Sequence, residues 1–491
     1  MQTTGSKRSE SDSATAKGVA AESPLCVDLD GTLIGTDLLW EALIIAARTK
    51  PWVLLLVPFW LLRGKTYLKS RIAEIATPHF ALLPVRGEVL QFLREEHARG
   101  RAIVLVTASV QPWADAFSAH LGIFSAAYGT RDKNLRGKAK AAFLSDLFGA
   151  GGFDYMGDSR SDLPVWKAAR KAHVVGPKEL SRKVSTGKLE RVFPTERASL
   201  VTWVKALRGH HWSKNLLIFV PLLLAHHFVW QSILNTTLAF ILFGVCASSL
   251  YVLNDLLDLH SDRGHPWKSE RPFASCRIPI ANGVLLTSVL IPSTLALAYM
   301  LSPPLAAVLV LYAALTLIYS GTIKQIPMLD VFVLTSFYLI RLWVGALAGG
   351  VALSQWFLGF SLFFFLGLAM SKRYSELFCA AELVDSKQSG RGYVRSDAGL
   401  LMIFGVTSCF ASILTLSLYV HSPEVMVLYR HPDRLMLLCP ILLYWCSRLW
   451  LRAQRGELTE DPVSMALRDP SSYVIGLLSL AIIISSTLHL R

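Results

Sequence analysis

The sequence predicts a soluble α/β domain followed by an all-α polytopic membrane domain. Three observations lead there. The chain is 53% hydrophobic and only 17% charged over 491 residues, too apolar for an ordinary soluble protein and long enough for more than one domain. Ionic residues are concentrated before about Arg208, and long uncharged runs follow. Within the first part, short apolar runs alternate with helical patterns, the signature of a parallel sheet.

Residues 1–22 are rich in Ser, Ala, Thr and Lys and lack the apolar core of a signal peptide. They are expected to be a disordered tail. Pro24–Asp30 reads as a short buried strand ending in acids, with Gly31 and Thr32 as the turn. Arg101–Ser109 is a second strand with a hydroxyl residue at its C-terminal end, and Phe153–Asp162 a third that again ends in acids. Helical patterns at Val89–Arg99 and Lys138–Leu147 lie between them. Ligands of such sheets bind beyond the carboxyl ends of the strands. Asp28, Asp30, Thr107, Asp158 and Asp162 all fall there. The insert Leu33–Gly100 is expected to form a small helical cap. Its apolar run Trp52–Leu62 is too short to span a bilayer. The run reads as cap core, the alternative being a segment that rests on a membrane surface. The seven cysteines form no CxxC pair or zinc spacing, so they read as small packing residues in a reducing compartment.

Pro177–Leu200 is polar and basic and reads as a linker, with the boundary taken at 181–200. Nine apolar segments follow, near 215–230, 237–254, 283–301, 304–320, 328–350, 355–371, 399–419, 436–451 and 472–490. With the soluble half inside, basic residues such as Arg263, Lys268, Arg271, Lys324, Lys372, Arg395 and Arg452 fall in cytoplasmic loops. The opposite loops carry Arg430 and Arg434. The positive-inside rule favours this orientation, a multi-pass protein of the cell membrane with a cytoplasmic N-terminal domain. The net charge of +14 then reports basic loops and anionic lipid, not nucleic acid.

Asn254-Asp255-Leu-Leu-Asp258-Leu-His-Ser-Asp262 ends the second apolar segment. On a helix its acids share one face, within an arc of roughly 60°. Acids at a membrane edge are costly and usually functional. Mg²⁺ bridging them to a substrate diphosphate would offset their repulsion. Basic clusters lie on the same side: Arg208…Trp212-Ser-Lys214-Asn215, Lys268…Arg271, Tyr319…Lys324 with Asp330, and Lys372-Arg373-Tyr-Ser-Glu376. Acids for a metal beside cations for phosphate make a diphosphate site. Arg341, inside the fifth segment, reads either as a substrate ligand or as one half of an intramembrane pair. A transporter or a plain membrane anchor is the non-enzymatic alternative, and it has no need of such a stripe.

Asp28-Leu-Asp30-Gly-Thr32, Thr107 and Gly157-Asp158-Ser-Arg-Ser-Asp162 resemble three motifs of the haloacid dehalogenase superfamily, over roughly residues 24–180. The family's lysine is placed at Lys140, with Lys138 as rival. The resemblance implies a Rossmann-like phosphatase. Asp28 is then the nucleophile and Asp30 the acid and base. Thr107 and the lysine bind phosphoryl oxygens, and Asp28, Asp30, Asp158 and Asp162 surround Mg²⁺. Residues 201–491 resemble the UbiA superfamily of membrane prenyltransferases, for which nine spans is the usual number. NDxxDxxxD matches its first acidic motif, which implies Asp255, Asp258 and Asp262 as catalytic Mg²⁺ ligands with Asn254 orienting an acid or water. Lys214, Lys268, Arg271, Tyr319, Lys324, Asp330 and Lys372 complete the expected substrate site. The second motif is reduced to Asp330, with Leu at position 334. The segments around Lys214, Lys324 and Lys372 look most like the decaprenyl-phosphate phosphoribosyltransferases. That branch implies transfer from phosphoribosyl pyrophosphate to a polyprenyl phosphate. The phosphoribosyl lipid would carry a 5-phosphate, and the fusion of the two halves leads to the expectation that the N-terminal half removes it. Prenyl transfer from a prenyl diphosphate to an aromatic or other small acceptor is the alternative.

Overall fold

A computed structural model of the chain describes residues 23–131, 133–195, 198–380, 392–458, 462–466 and 468–487. The tail expected at 1–22 lies outside them. The chain divides into two compact units. Residues up to Ser199 together with Leu257–Ala281 form the first, and Leu200–Leu256 with Asn282 onward form the second.

The first unit is built on β1 (Leu25–Val27), then helices α1 (Leu38–Thr49), α2 (Val53–Leu62), α3 (Lys65–Ile75) and α4 (Gly87–Ala98). There follow β2 (Ile103–Val110), α5 (Gln111–Leu121), β3 (Ala126–Thr130), α6 (Lys138–Phe148), β4 (Asp154–Gly157), α7 (Leu163–Ala168), β5 (Ala172–Gly176), the short α8 (Lys178–Ser181) and β6 (Leu189–Pro194). The strands pair in parallel in the order β3-β2-β1-β4-β5-β6. Strand β1 is central, and its alternate residues serve opposite faces. Leu25 and Val27 join the core that includes Val89, Phe92, Trp113 and Phe117. Cys26 joins the other core, with Leu144, Phe153, Val165 and Trp166. Period-two alternation on a sheet covered on both sides makes every β1 residue apolar.

Local chemistry sets the element ends. Asp37 caps α1 by accepting a hydrogen bond from the Leu39 N–H at 2.8 Å, as short acids do at helix starts. Gly122 ends α5 in the left-handed conformation at φ +66°, which costs glycine little. The amino ends of β2 and β4 are cross-tied by a buried network. There Arg101 donates to Asp154 and, at 2.7 Å, to Glu96, while Arg170 holds the other face of Asp154 at 2.8–2.9 Å.

Two expectations change in this unit. The stretch read as linker supplies β6, the edge strand, which pairs with β5 from Leu189 to Pro194. Its polar composition is that of an edge strand covered on one side only. The apolar run at α2 is not core either. Val53 and Trp60 are buried, whereas Trp52, Leu54, Leu55, Phe59, Leu61 and Leu62 are exposed. A helix apolar on all sides can turn only one stripe toward a small cap.

The second unit is helical. After α9 (Leu200–Ala206) comes a 3₁₀ stretch, Gly209–Phe219, and the short α10 (Val220–Leu224). Helix α11 (Trp230–Leu257) follows; α12 (Leu259–Arg263), next in the chain, belongs to the first unit. Then come α13 (Ile280–Leu301), α14 (Pro303–Gly321), α15 (Leu329–Gly349) and α16 (Gln355–Ala380), with further long helices at Ala398–Val420, Leu438–Gln454 and Pro470–Thr487. Among the described residues eight helices are long and apolar enough to cross a membrane, not nine. The missing one is the first. Pro221 lies in the first turn of α10, and α10 ends before the left-handed His226 at φ +51°, so residues 215–230 form no continuous helix.

Candidate active sites

The first site lies where the carboxyl ends of β2, β1 and β4 meet. Asp28 follows β1, Thr107 and Ser109 lie near the end of β2, and Asp158 and Asp162 follow β4. One oxygen each from Asp28, Asp158 and Asp162 lie within 4.8 Å of one another. Lys140, in the first turn of α6, reaches Asp28 at 2.8 Å and is 1% exposed. Lys138 is exposed, so the geometry selects Lys140. Tyr155, on β4, ties the group together. Its hydroxyl accepts from Lys140 at 3.0 Å and donates to Asp162 at 2.9 Å. Thr32 donates to Asp158 at 3.1 Å, and the Ser159 N–H and hydroxyl donate to Asp162 at 3.0 and 2.8 Å.

Electrostatics follow from crowding. Burial lifts the Asp28 carboxyl to about 6, with Lys140 opposing the rise and Asp162 adding to it. Burial, then Asp28 and Asp162 as like charges, lift Asp158 to about 8. Three carboxylates facing one lysine are under-neutralised, and a divalent cation with oxygen ligands fits that donor set. The Asp30 carboxylate is not one of those three. It accepts from Ser109 at 2.7 Å, Thr107 at 3.2 Å and the Leu38 N–H at 2.9 Å. Burial, then the neighbouring Asp37, lift Asp30 to about 6. It is thus placed to carry a proton. Thr107, expected on phosphate, points its hydroxyl at Asp30.

Sequence reasoning missed Tyr155, Ser109 and Lys69. Lys69 comes from cap helix α3 and donates to the Ala108 carbonyl at 2.6 Å. Burial lowers its pKa, while Asp30 and Asp37 pull the other way. No motif marks a cap lysine 39 positions from its partner.

The acidic stripe is not one unbroken helical face. Helix α11 ends at Leu257, and Asp258 (φ −91°, ψ 8°) separates it from α12. In the second unit Asp255 is 4% exposed and accepts from Arg208 at 2.6 Å. Asn254 is half-buried on the same helix. In the first unit Asp258 lies 3.7 Å from Arg48, and Asp262, 2% exposed, accepts from Arg271 at 2.7 Å. Lys268 there is exposed. Arg263, next to Asp262, makes a bidentate pair with the fully buried Glu41 of α1, at 2.7 and 3.0 Å. Each motif acid therefore faces an arginine. Acid and arginine together can take up a metal–diphosphate, the acid turning to the metal and the guanidinium to phosphate.

In the second unit Lys214 lies on the 3₁₀ stretch, which Trp212 fixes by donating to Ser248 at 3.0 Å. Lys324 and Lys372 are half-buried. Asp330 is not presented to a ligand. It is fully buried, paired with Arg373 and accepting from Tyr393. Arg373 also donates to Tyr319 at 2.8 Å and to Glu376 at 2.7 Å. The residue beside Lys372 thus organises this corner, a difference of one helical position. Arg341 donates to Asn215 at 2.9 Å and to the Phe337 carbonyl at 2.5 Å. Phe243, Tyr312 and Tyr338 surround its guanidinium at 5.0–6.0 Å. It ties α15 to the 3₁₀ stretch through these neutral groups.

Comparison with known proteins bears on both units. Residues 216–468 match the UbiA prenyltransferase family. The chain belongs to that family. Residues 25–167 match the haloacid dehalogenase-like hydrolases, so an HAD-like domain precedes the UbiA region in this enzyme. The uncharacterised protein y4nM of Sinorhizobium fredii is 38% identical over 464 residues, covering 93% of this chain and 89% of that one. Nodulation protein NoeC of Azorhizobium caulinodans is 36% identical over 279 residues, 56% of this chain and 89% of its own length. Decaprenyl-phosphate phosphoribosyltransferase of Mycobacterium tuberculosis is 36% identical over 198 residues, 39% of this chain and 65% of that one.

Proposed function

We propose that the UbiA unit transfers phosphoribose from phosphoribosyl pyrophosphate to a polyprenyl phosphate at the cytoplasmic membrane face, and that the HAD-like unit removes the 5-phosphate from the product. The 36% identity to decaprenyl-phosphate phosphoribosyltransferase carries the first half. The convergence of Asp28, Asp158, Asp162 and Lys140 carries the second.

Diphosphate leaves ribose C1 and the lipid phosphate oxygen takes its place. Asp255, Asp258 and Asp262 would hold Mg²⁺, which would supply charge neutralisation for the departing diphosphate, and Lys214, Lys268, Arg271, Lys324 and Lys372 would take up the rest of its charge. In the phosphatase step an Asp28 oxygen bonds to phosphorus as the bond to the ribose oxygen breaks. Asp30 gives that oxygen its proton. Asp30 then takes a proton from water, which attacks the aspartyl-phosphate and releases inorganic phosphate. Lys140 balances charge on the Asp28 side, and Thr107 and Ser109 orient Asp30. Mg²⁺ held by Asp28, Asp158 and Asp162 would supply charge neutralisation for the phosphoryl group.

The family's prenyltransferase name favours a second reading, prenyl transfer from a prenyl diphosphate. Full-length protein given labelled phosphoribosyl pyrophosphate or labelled prenyl diphosphate, each with its acceptor, separates the two. Release of inorganic phosphate in addition to diphosphate is expected from the first donor. Unchanged phosphate release by Asp28→Asn refutes the phosphatase assignment.

A further inference from the structure

The cap helix α2 has a surface unlike the rest of the first unit. Trp52, Leu55, Phe59 and Leu62 follow the i, i+3, i+7, i+10 spacing of one helical stripe. They are exposed by 55%, 74%, 65% and 86%. Leu54 and Leu61 widen the stripe on one side. Val53 and Trp60 hold the opposite side in the cap core. An apolar stripe of this size on a water-facing domain marks an interaction surface.

Its surroundings identify the partner. Between Glu41 and Glu74 there is no acid in the sequence, and Lys50, Arg63 and Lys65, all exposed, bracket the helix at both ends. Cations at the ends of an apolar helix meet lipid phosphates while the apolar side enters the acyl boundary, and a tryptophan at the entry suits that interface. Among the described residues the chain also carries eight helices long and apolar enough to cross a membrane, and these would keep a bilayer at hand. A protein partner would more often meet mixed polar rim residues than an unbroken apolar face edged by one sign of charge.

We infer that α2 is an interfacial helix that seats the cap in an anionic lipid surface. Helix α3, which follows it, carries Lys69 to within 2.6 Å of the Ala108 carbonyl beside Asp30. A cap held at the lipid surface brings the Asp28 site to phosphates borne on lipids. Soluble phosphate esters need no such placement. This extends the phosphatase reading given above and rests on it for its catalytic arm.

Two measurements on the full-length chain in phosphatidylglycerol-containing nanodiscs decide the matter. First, a lipid-soluble carbene reagent is mapped by peptide mass spectrometry. Label on Trp52–Leu62 alongside the spanning helices is expected. Labelled spans with an unlabelled α2 overturn the inference, and cross-linking of α2 to a second copy assigns the face to self-association instead. Second, Leu55→Glu/Phe59→Glu/Leu62→Glu is assayed on p-nitrophenyl phosphate and on farnesyl phosphoribose 5-phosphate in the disc. Hydrolysis of the soluble ester should stay within about threefold, while turnover of the lipid ester falls about tenfold or more. Equal effects on both substrates overturn the inference. Failure of the unsubstituted chain to hydrolyse either ester sinks the phosphatase reading, and the carbene map still decides the lipid contact.

Discussion

Replacing Gly31 by alanine tests the first site at one atom. Gly31 has φ +78°, and a Cβ built there falls 2.2 Å from an Asp158 oxygen and 2.7 Å from its carboxyl carbon. The left-handed backbone costs alanine about 1 kcal/mol. The contact cannot stand, so Asp158 must turn away and lose its 3.1 Å hydrogen bond from Thr32. A hydrogen bond to a charged group is worth about 1.5–3 kcal/mol. Together the terms come to about 3 kcal/mol, or roughly a hundredfold in rate or metal affinity. The assay is phosphate release from p-nitrophenyl phosphate by the full-length chain over a Mg²⁺ titration, with phosphoribosyl transfer followed in parallel. Half-saturation by Mg²⁺ should rise and phosphatase turnover fall, while transfer holds. A Gly31→Ala chain with Mg²⁺ dependence and turnover unchanged within about threefold, about 0.7 kcal/mol, would refute the placement of Asp158 at the metal.

Lys140→Met should lower phosphatase turnover by about 10²–10³-fold, whereas Lys138→Met should not, and steady-state kinetics of the two compare them directly. His173 is buried with neither ring nitrogen hydrogen-bonded, and burial lowers its pKa to about 4. The unfolded chain then binds the extra proton first. This group's effect on stability is constant above about pH 6.5, and stability falls as pH drops from there toward 4, by about 3 kcal/mol at most. Thermal melts of the full chain across that range should lose this slope in His173→Phe. Arg373→Leu leaves the buried Asp330 without its cation and should destabilise the membrane unit by about 3–5 kcal/mol. Asp330→Asn in the same chain should recover part of that in a detergent melt, and no recovery would sink the pairing.

The first site was legible because parallel strands read as apolar runs that stop at their chemistry. Asp28, Thr107 and Asp158 each follow such a run, and the sheet order places them together. Tyr155 and Ser109 were not legible, since a strand residue's partners depend on register. Spacing alone does not say which oxygens of Asp28 and Asp30 meet. In the membrane unit the acids and cations could be read off as a set, but their pairing could not. Whether Lys372 or Arg373 turns inward depends on helix rotation. The span count erred where Pro221 and a 3₁₀ stretch interrupt an apolar segment whose composition looks continuous. The edge strand β6 was mistaken for a linker because exposure, not disorder, made it polar.

The first unit is discontinuous in the chain, and this limits how the protein can be taken apart. Leu257–Ala281 belongs to it although both flanks are membrane helices. A chain cut after Ser199 would lack Arg263, leaving the fully buried Glu41 with only the Thr36 hydroxyl at 2.6 Å. It would also lose Cys276, whose Cβ lies 3.2 Å from a Cβ built at Gly35. An uncompensated buried carboxylate is among the costlier defects a small domain can carry. The isolated α/β fragment is therefore the wrong reagent for the phosphatase, and poor behaviour on its part would report on the excision and not on the enzyme.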